Sequence, residues 1–426
     1  MHTTRFNVRA AVPSPGTGKG ASDPVRGILL LLCVLVTFGG CTLPARGQSS
    51  FPGASSSPSL NLRVYPSDFW GPRVGPGVGL GLVGHNLARR GDQWLLTGAP
   101  ALHEQVATLS FATANPRRIS KYVLVDARIL HTDRDWFGPA ASDDRITLER
   151  SAVRARVRAG QTLFARRLLL QPHLTLSSHD VAKVDRPTST TVDPVGLDPA
   201  SFARGAETGL RVGGAVQLDT RNRRVLTSRG LLLQATWDRY IAIDGSALHF
   251  DQVDFDAYGY IPIGGLHRVV LRGSTTLTNA LNSTPVPAYM LPTVGGTGVP
   301  GWARSRFVGY DRFIGSLLYR FPLRQYGNLA VIEGHLGVHA AGVYGNLGDQ
   351  FTTSVSYDEN VPLRDGSIPL RPSASAGIRF VAPFREHTSL EFAIGLSPEG
   401  VSAARVSFVR RLQSIRPPHH TSETLR

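Results

Sequence analysis

Val153-Arg154-Ala155-Arg156-Val157-Arg158-Ala159 decides the fold class. Small apolar residues alternate with arginines at a period of two, the period of a β-strand, whose successive side chains leave opposite faces. Such a strand carries three guanidinium groups on one face and only Val and Ala on the other. The alternation recurs outward from it. Val123, Val125, Ala127 and Ile129 oppose Asp126 and Arg128; Leu168, Leu170, Leu174 and Leu176 oppose Arg167, Gln171, His173 and Thr175. Leu231, Leu233, Ala235 and Trp237 oppose Gln234, Thr236 and Asp238. Leu317, Tyr319 and Phe321 oppose Ser316 and Arg320, and Leu390, Phe392, Ile394 and Leu396 oppose Glu391. From Val78 to Leu412 such runs number about 14, separated by Gly, Pro, Asn or Asp clusters, and an even count of about 12–16 is expected.

Composition narrows the class. Charged residues are 18% of the chain, below the roughly 25% of a soluble domain, while 42% are apolar and mean hydropathy is −0.06. These values exclude both a disordered acidic chain and a helical membrane protein. The 45 glycines and 29 prolines disfavour long helices. The formal charge is +15, and with only Lys19, Lys121 and Lys183 as lysines, 43 of the 46 basic residues are arginine. A GC-rich genome accounts for that bias, so no nucleic-acid partner is inferred. Cys33 and Cys41 are the only cysteines, which excludes a disulfide scaffold and a Cys-based metal site.

Cys33 lies in the apolar run Ile28 to Phe38, which follows Arg26. At about 11 residues it suits a signal-peptide core and falls short of the roughly 20 a spanning helix needs. Residues 1–47 therefore read as a signal peptide ending at Ala45-Arg46-Gly47. The alternative is lipoprotein processing before Cys41, for which Phe38 is an awkward residue. The long stretch before Ile28 also allows translation to start downstream of Met1. Residues 48–61 form a Ser/Pro/Gly linker, 62–412 the patterned domain and 413–426 a polar tail.

A soluble sandwich or propeller shows the same alternation. What discriminates is the charge on the polar faces: Arg154, Arg156 and Arg158, then Asp254 and Asp256, then Glu333, His335 and His339. A water-filled lumen accommodates such groups, and only a closed barrel satisfies every backbone donor in lipid. Aromatic residues near strand ends (Trp70, Trp94, Trp136, Tyr240, Tyr258, Tyr260, Tyr289, Tyr344) suit a membrane girdle, although in a soluble protein they would be core. The expectation is an all-β, transmembrane antiparallel barrel in the outer membrane of a Gram-negative-type bacterium.

Gln217-Leu218-Asp219-Thr220-Arg221-Asn222, with Ser228-Arg229-Gly230, resembles the strand-turn-strand element of the bacterial surface-antigen superfamily, the BamA/TamA-type barrels. Gly295-Gly296, Pro300-Gly301-Trp302 and Arg304-Ser305-Arg306 resemble that superfamily's long loop, which folds toward the lumen. Asp135-Trp136-Phe137-Gly138 resembles a turn of members lacking periplasmic POTRA domains, and Ala376 to Phe380, Leu390 to Leu396 and Arg405 to Leu412 resemble the closing strands. The linker leaves no room for a POTRA domain.

The departures are equally informative. The superfamily's loop carries an Arg-Gly-aromatic triplet whose arginine pairs with an aspartate of a neighbouring strand. Here Pro300 replaces the arginine, and Ala340 stands where the resemblance puts the aspartate. Losing both together is physically coherent, because losing one would strand a charge at a cost of several kcal/mol. Arg304 or Arg306 pairing with Glu333 is an alternative way to hold the loop inside.

Other chemistry is thin. His419-His420 follows Pro417-Pro418 in the tail with no residue spaced to complete a metal site, and no Gly-x-Ser-x-Gly occurs. Asp254 and Asp256 read as lumen charges balancing arginines rather than as paired acids or a Ca²⁺ site. No cofactor or enzymatic activity is expected. The arginine row has two readings: an anion-attracting stripe, or arginines paired with lumen carboxylates or lipid phosphate. Expected partners are outer-membrane lipid and lipopolysaccharide, with periplasmic assembly proteins if the barrel is an assembly or translocation factor instead of a structural or solute-passage one. Deleting residues 1–47 should abolish arrival at the envelope, while the full chain should fractionate with outer membrane and migrate heat-modifiably. A soluble cytosolic monomer would refute the barrel, and palmitate labelling would move the cut to Cys41.

Overall fold

The computed structural model describes residues 59–66, 78–85, 92–100, 104–114, 121–137, 146–164, 167–185, 197–203, 205–222, 226–296, 298–327, 330–357, 363, 365–381 and 389–409. Residues 1–47, read above as a signal peptide, lie outside these residues together with Cys41, most of the linker stretch, the tail and His419-His420.

The strands are β1 (Ser59–Pro66), β2 (Val78–His85), β3 (Asp92–Pro100), β4 (Glu104–Ala114), β5 (Lys121–Phe137), β6 (Ile146–Leu163) and β7 (Leu168–Asp185). Next come β8 (Gly205–Asp219), β9 (Gly230–Ala242), β10 (His249–Gly264), β11 (His267–Ala280), β12 (Thr293–Val294), β13 (Phe307–Val308) and β14 (Asp311–Tyr326). The last are β15 (Ala330–Tyr344), β16 (Phe351–Val355), β17 (Ile368–Val381), β18 (Ser389–Ser397) and β19 (Gly400–Val409). The main sheet holds 17 strands, of which only β16 pairs in parallel, on β17. The other sixteen form one antiparallel meander in chain order, at the upper end of the expected range. β19 comes alongside β1, and among the described residues no backbone ladder joins them. β12 and β13 pair only with each other, inside the long β11–β14 connection.

Two boundaries differ from the sequence reading. β1 begins at Ser59, inside the stretch assigned to the linker, and alternates Leu60, Leu62 and Val64 with polar residues. Asp135 to Phe137 is strand rather than turn, with Asp135 opposite Leu148 and Phe137 opposite Ile146.

The faces follow the alternation. Val153 and Val157 are exposed, Val157 to 46%, while Arg154, Arg156 and Arg158 between them are partly buried. Register joins the exposed apolar residues into a belt: Val157 lies opposite Leu174, Leu174 opposite Val212, Trp237 opposite Val253, Leu271 opposite Leu317, Leu317 opposite Val338, and Ile378 opposite Phe392. All of these are exposed. A continuous apolar surface crossing this many strands is incompatible with water and suited to lipid. Asp126, Arg128, Gln171, Thr175, Arg268, Glu333 and His339 are buried on the other face, which lines the lumen. The large apolar core sits at one end of the barrel, where Val286, Met290, Leu291, Trp302 and Phe307 of the long connection pack on Tyr240, Phe250, Ile314 and Tyr344 of the wall.

Val157→Arg should weaken insertion by about 2–4 kcal/mol if the residue lies near the bilayer midplane, whereas Arg156→Ala should fold normally. Urea titration of folding into lipid bilayers measures both, and the reverse order would invert the assignment of faces.

Candidate functional site

The site consists of the lumen wall and the loop of residues 281–310 between β11 and β14. A 3-10 turn, Ala288–Met290, and the β12–β13 pair give the loop its own frame. Polar contacts then fix it to the wall. Arg272 Nη1 donates to the Gly298 carbonyl (3.2 Å), Arg312 Nη1 to the Thr293 carbonyl (3.3 Å), and Ser397 Oγ to the Gly301 carbonyl (2.9 Å).

The tip, Pro300-Gly301-Trp302, reaches β17 and β18. At Gly301 φ is +106°, and a Cβ there would stand 2.7 Å from the Leu396 carbonyl oxygen and 3.0 Å from Ser373 Cβ. A Cβ on Gly395 would collide with the amide of Gly301. The inward positions facing the tip are correspondingly small: Ser373, Ser375, Ala393, Gly395 and Ser397. Trp302 is buried and meets Phe307 edge-on at 5.1 Å between centroids.

Arg306 anchors the loop. It is 1% exposed and donates from Nε to Oε1 of Glu399 in the β18–β19 turn (2.5 Å). Its guanidinium and that of Arg371 lie 4.8 Å and 4.0 Å from the centroid of the Phe307 ring. The alternative pairing with Glu333 is not formed. Arg268 occupies Glu333 instead, with Nη2 donating to Oε2 at 2.8 Å and Nη1 2.7 Å from Oε1, both side chains 1% exposed. Ala340 also needs correction as the missing partner: it shares the outward face with Leu336 and Val338, and the inward neighbours are His339 and Ala341. His339 is held by Ser316 and Ser375, each at 2.9 Å. The loop is therefore tied by an ion pair whose two members both lie away from the positions that the resemblance indicates.

On the opposite wall, Arg158 Nη2 donates to Asp126 Oδ1 (2.6 Å) and Arg156 Nε to Thr175 Oγ1 (2.9 Å). Arg154 lies opposite Arg128 on β5 and Ser177 on β7. Arg158 is thus paired with a lumen carboxylate, and the row faces the lumen rather than lipid. Asp254 accepts from Thr276 Oγ1 (2.6 Å), and Thr276 Oγ1 accepts from Arg312 Nη2 (2.9 Å), which places that aspartate in an arginine-linked network.

The β8–β9 turn is built by its motif. Arg221 grips Asp219 through Nε to Oδ1 (2.9 Å) and Nη2 to Oδ2 (2.8 Å), Asn222 Oδ1 accepts from the amides of Ser228 and Arg229, and Gly230 has φ +116°. Arg229 lies beside the turn rather than in the lumen, so this element shapes the turn.

The sequence offered no direct sign of Glu399, which follows Pro398 and precedes Gly400 in a tight turn and reads as solvent-facing. The small inward residues of β17 and β18 were a usable signal. Glu399→Ala should raise the rate of tryptic cleavage in the loop about tenfold, and the exchange of Arg306→Glu with Glu399→Arg should restore protection. Mass spectrometry of the fragments checks this, and unchanged cleavage would remove the anchor.

The Omp85 superfamily domain matches residues 103–410. Among solved structures, BamA from Haemophilus ducreyi lacking POTRA domains 1–3 shares the fold with a TM-score of 0.56 at 16% identity, covering 82% of this chain and 68% of that one. CdiB from Escherichia coli gives a TM-score of 0.52 at 12% identity, covering 82% of this chain and 61% of that one. A search of curated proteins finds no match. With the meander, the lipid belt and the inward loop, these findings show that the chain belongs to the Omp85 superfamily and is a β-barrel of the Gram-negative outer membrane.

Proposed function

We propose that this barrel is a non-enzymatic structural or solute-passage protein that favours anions, with the loop of residues 281–310 restricting its lumen. The observation that carries the reading is the wall of β5 to β8, where Arg154, Arg156 and Arg158 face inward while their neighbours in sequence face lipid. A stripe of one sign in a confined channel raises the local anion concentration and repels cations. Its lipid-facing partners are outer-membrane lipid and lipopolysaccharide.

One observation favours a second reading, assembly or translocation of other outer-membrane proteins with separate periplasmic partners. The loop is tied to the last hairpin, β18–β19, beside the meeting of β19 and β1, so moving the loop and opening that meeting would be mechanically linked. Reversal potentials of the purified protein in planar bilayers test the first reading. Anion preference is expected, and Arg154, Arg156 and Arg158 replaced together by Gln should reduce it. Cation selectivity would contradict the arginine assignment, absence of conductance would leave the structural role, and accelerated folding of a second outer-membrane protein in liposomes would establish the second reading.

A further inference from the structure

The connection between β15 and β17 is tied down against the wall. Asp311, at the start of β14, accepts from the Leu347 amide on one carboxylate oxygen (2.8 Å) and from the Thr278 amide on the other (2.9 Å). Gln350 Oε1 accepts from the amides of Gly345 and Asn346, at 2.7 and 3.2 Å. β16 then runs alongside β17, with Phe351 opposite Ile368 and Val355 opposite Leu370, and the Ser356 amide donates to the Leu370 carbonyl (3.0 Å).

Phe351 joins the outward face. Its ring meets that of Phe313 edge-on at 5.3 Å between centroids and lies 6.0 Å from that of Tyr344. Phe313 shares a strand face with Leu317, and Tyr344 with Val338; Leu317 and Val338 are opposite one another in the lipid belt. The segment is therefore continuous with a surface already facing lipid. It nevertheless leaves apolar side chains bare: Phe351 is 39% exposed, Val355 50% and Tyr357 73%. Between Gly345 and Tyr357 the only charged residue is Asp349, which accepts from Asn346 Nδ2 (2.9 Å). Thr352 Oγ1 donates to Ser354 Oγ (3.2 Å), which lowers the cost of taking both hydroxyls out of water.

Height and orientation fit the outer lipid surface. Leu317 lies midway along the outward run from Phe313 to Phe321. At about 3.3 Å per residue and a tilt near 40°, Phe313 stands about 10 Å from it along the membrane normal, against a half-height of about 12 Å for the apolar band. That is the level at which aromatic residues ring such barrels. The long connections 281–310 and 345–367 leave this end, and the short ones 265–266 and 327–329 leave the other. Short turns mark the periplasmic side.

We infer that residues 351–357 are a membrane-interface foot outside the wall strands, whose Phe351, Val355 and Tyr357 seat in the outer leaflet where acyl chains meet headgroups. The occupant is lipid rather than a second copy of the chain, because the patch runs into the lipid belt through Phe313 and Tyr344. Neither conduction nor assembly activity enters the inference.

The test is spin labelling of the full chain carrying Cys33→Ser and Cys41→Ser, folded into phosphatidylcholine vesicles. Val355→Cys and Tyr357→Cys carry the label in turn, Val157→Cys reports lipid, and Lys183→Cys, at an exposed side chain, reports water. At both foot positions oxygen should relax the label more strongly than a water-soluble nickel chelate, the order at Val157→Cys and the reverse of that at Lys183→Cys. In vesicles of short-chain phosphatidylcholine the lipid surface falls, so the foot positions should shift toward the Lys183→Cys order while Val157→Cys keeps its own. Heat-modifiable migration verifies folding, and if one labelled variant does not fold the other decides. Stronger relaxation by nickel in the thicker vesicles overturns the foot, as does indifference to bilayer thickness, which would place the label within protein. Spin–spin broadening would overturn it in favour of a second copy.

Discussion

Within hydrocarbon the N–H and C=O groups of a strand have only the next strand as partner, and β6 meets that constraint on both of its edges. From Thr147 to Gln161 it is paired on one side to β5 and on the other to β7. Its backbone needs no water, so its two faces are free to meet unlike surroundings. The Val and Ala of one face contact lipid, and the arginines of the other contact the lumen. Every later feature, including the docking of the loop and the clustering of charge, is arranged on the inner face of this antiparallel meander.

Charge inside such a wall is held by specific pairing. Arg268 and Glu333 come from β11 and β15, strands separated by β14, and their bidentate contact reaches across it. Removing either partner would leave a buried charge, at a cost of about 3–5 kcal/mol. The same reasoning explains why Glu333 was unavailable to the loop, which found Glu399 at the rim instead. Where the sequence reading had one acceptor and several candidate arginines, the three-dimensional arrangement had two acceptors and a division of labour.

Face assignments were the most legible part of the chain because they need only local alternation, as at Val153 to Ala159. The inward loop was legible through the resemblance of Gly295 to Arg306 to the superfamily's long loop. Its anchor was not: Glu399 lies 93 residues from Arg306, and no periodicity links them. Ala340 illustrates a different limit. Strand side chains alternate faces, so a position matched by motif alone can fall on the wrong side of the wall, as Ala340 does between the inward-facing His339 and Ala341. β1 was hidden by its neighbours, because a Ser- and Pro-rich approach masks the alternation of Leu60, Leu62 and Val64. Arg128 and Arg211 joined the arginine row only through register, which places residues from β5 and β8 near β6.

Strand length carries a consequence for the wall formed by β6 and β7. β6 and β7 each have 18 residues. At about 3.3 Å per residue and a tilt near 40°, they rise about 45 Å. The apolar band is about 25 Å tall, so this wall overshoots it by nearly its own height. The outward residues of the overshoot turn polar, with Glu149, Ser151, Ser178 and Asp180 above Val153 and Leu176. β6 and β7 are thus long enough to carry their wall past the apolar band, and their polar outward ends suit a sugar-rich surface rather than hydrocarbon.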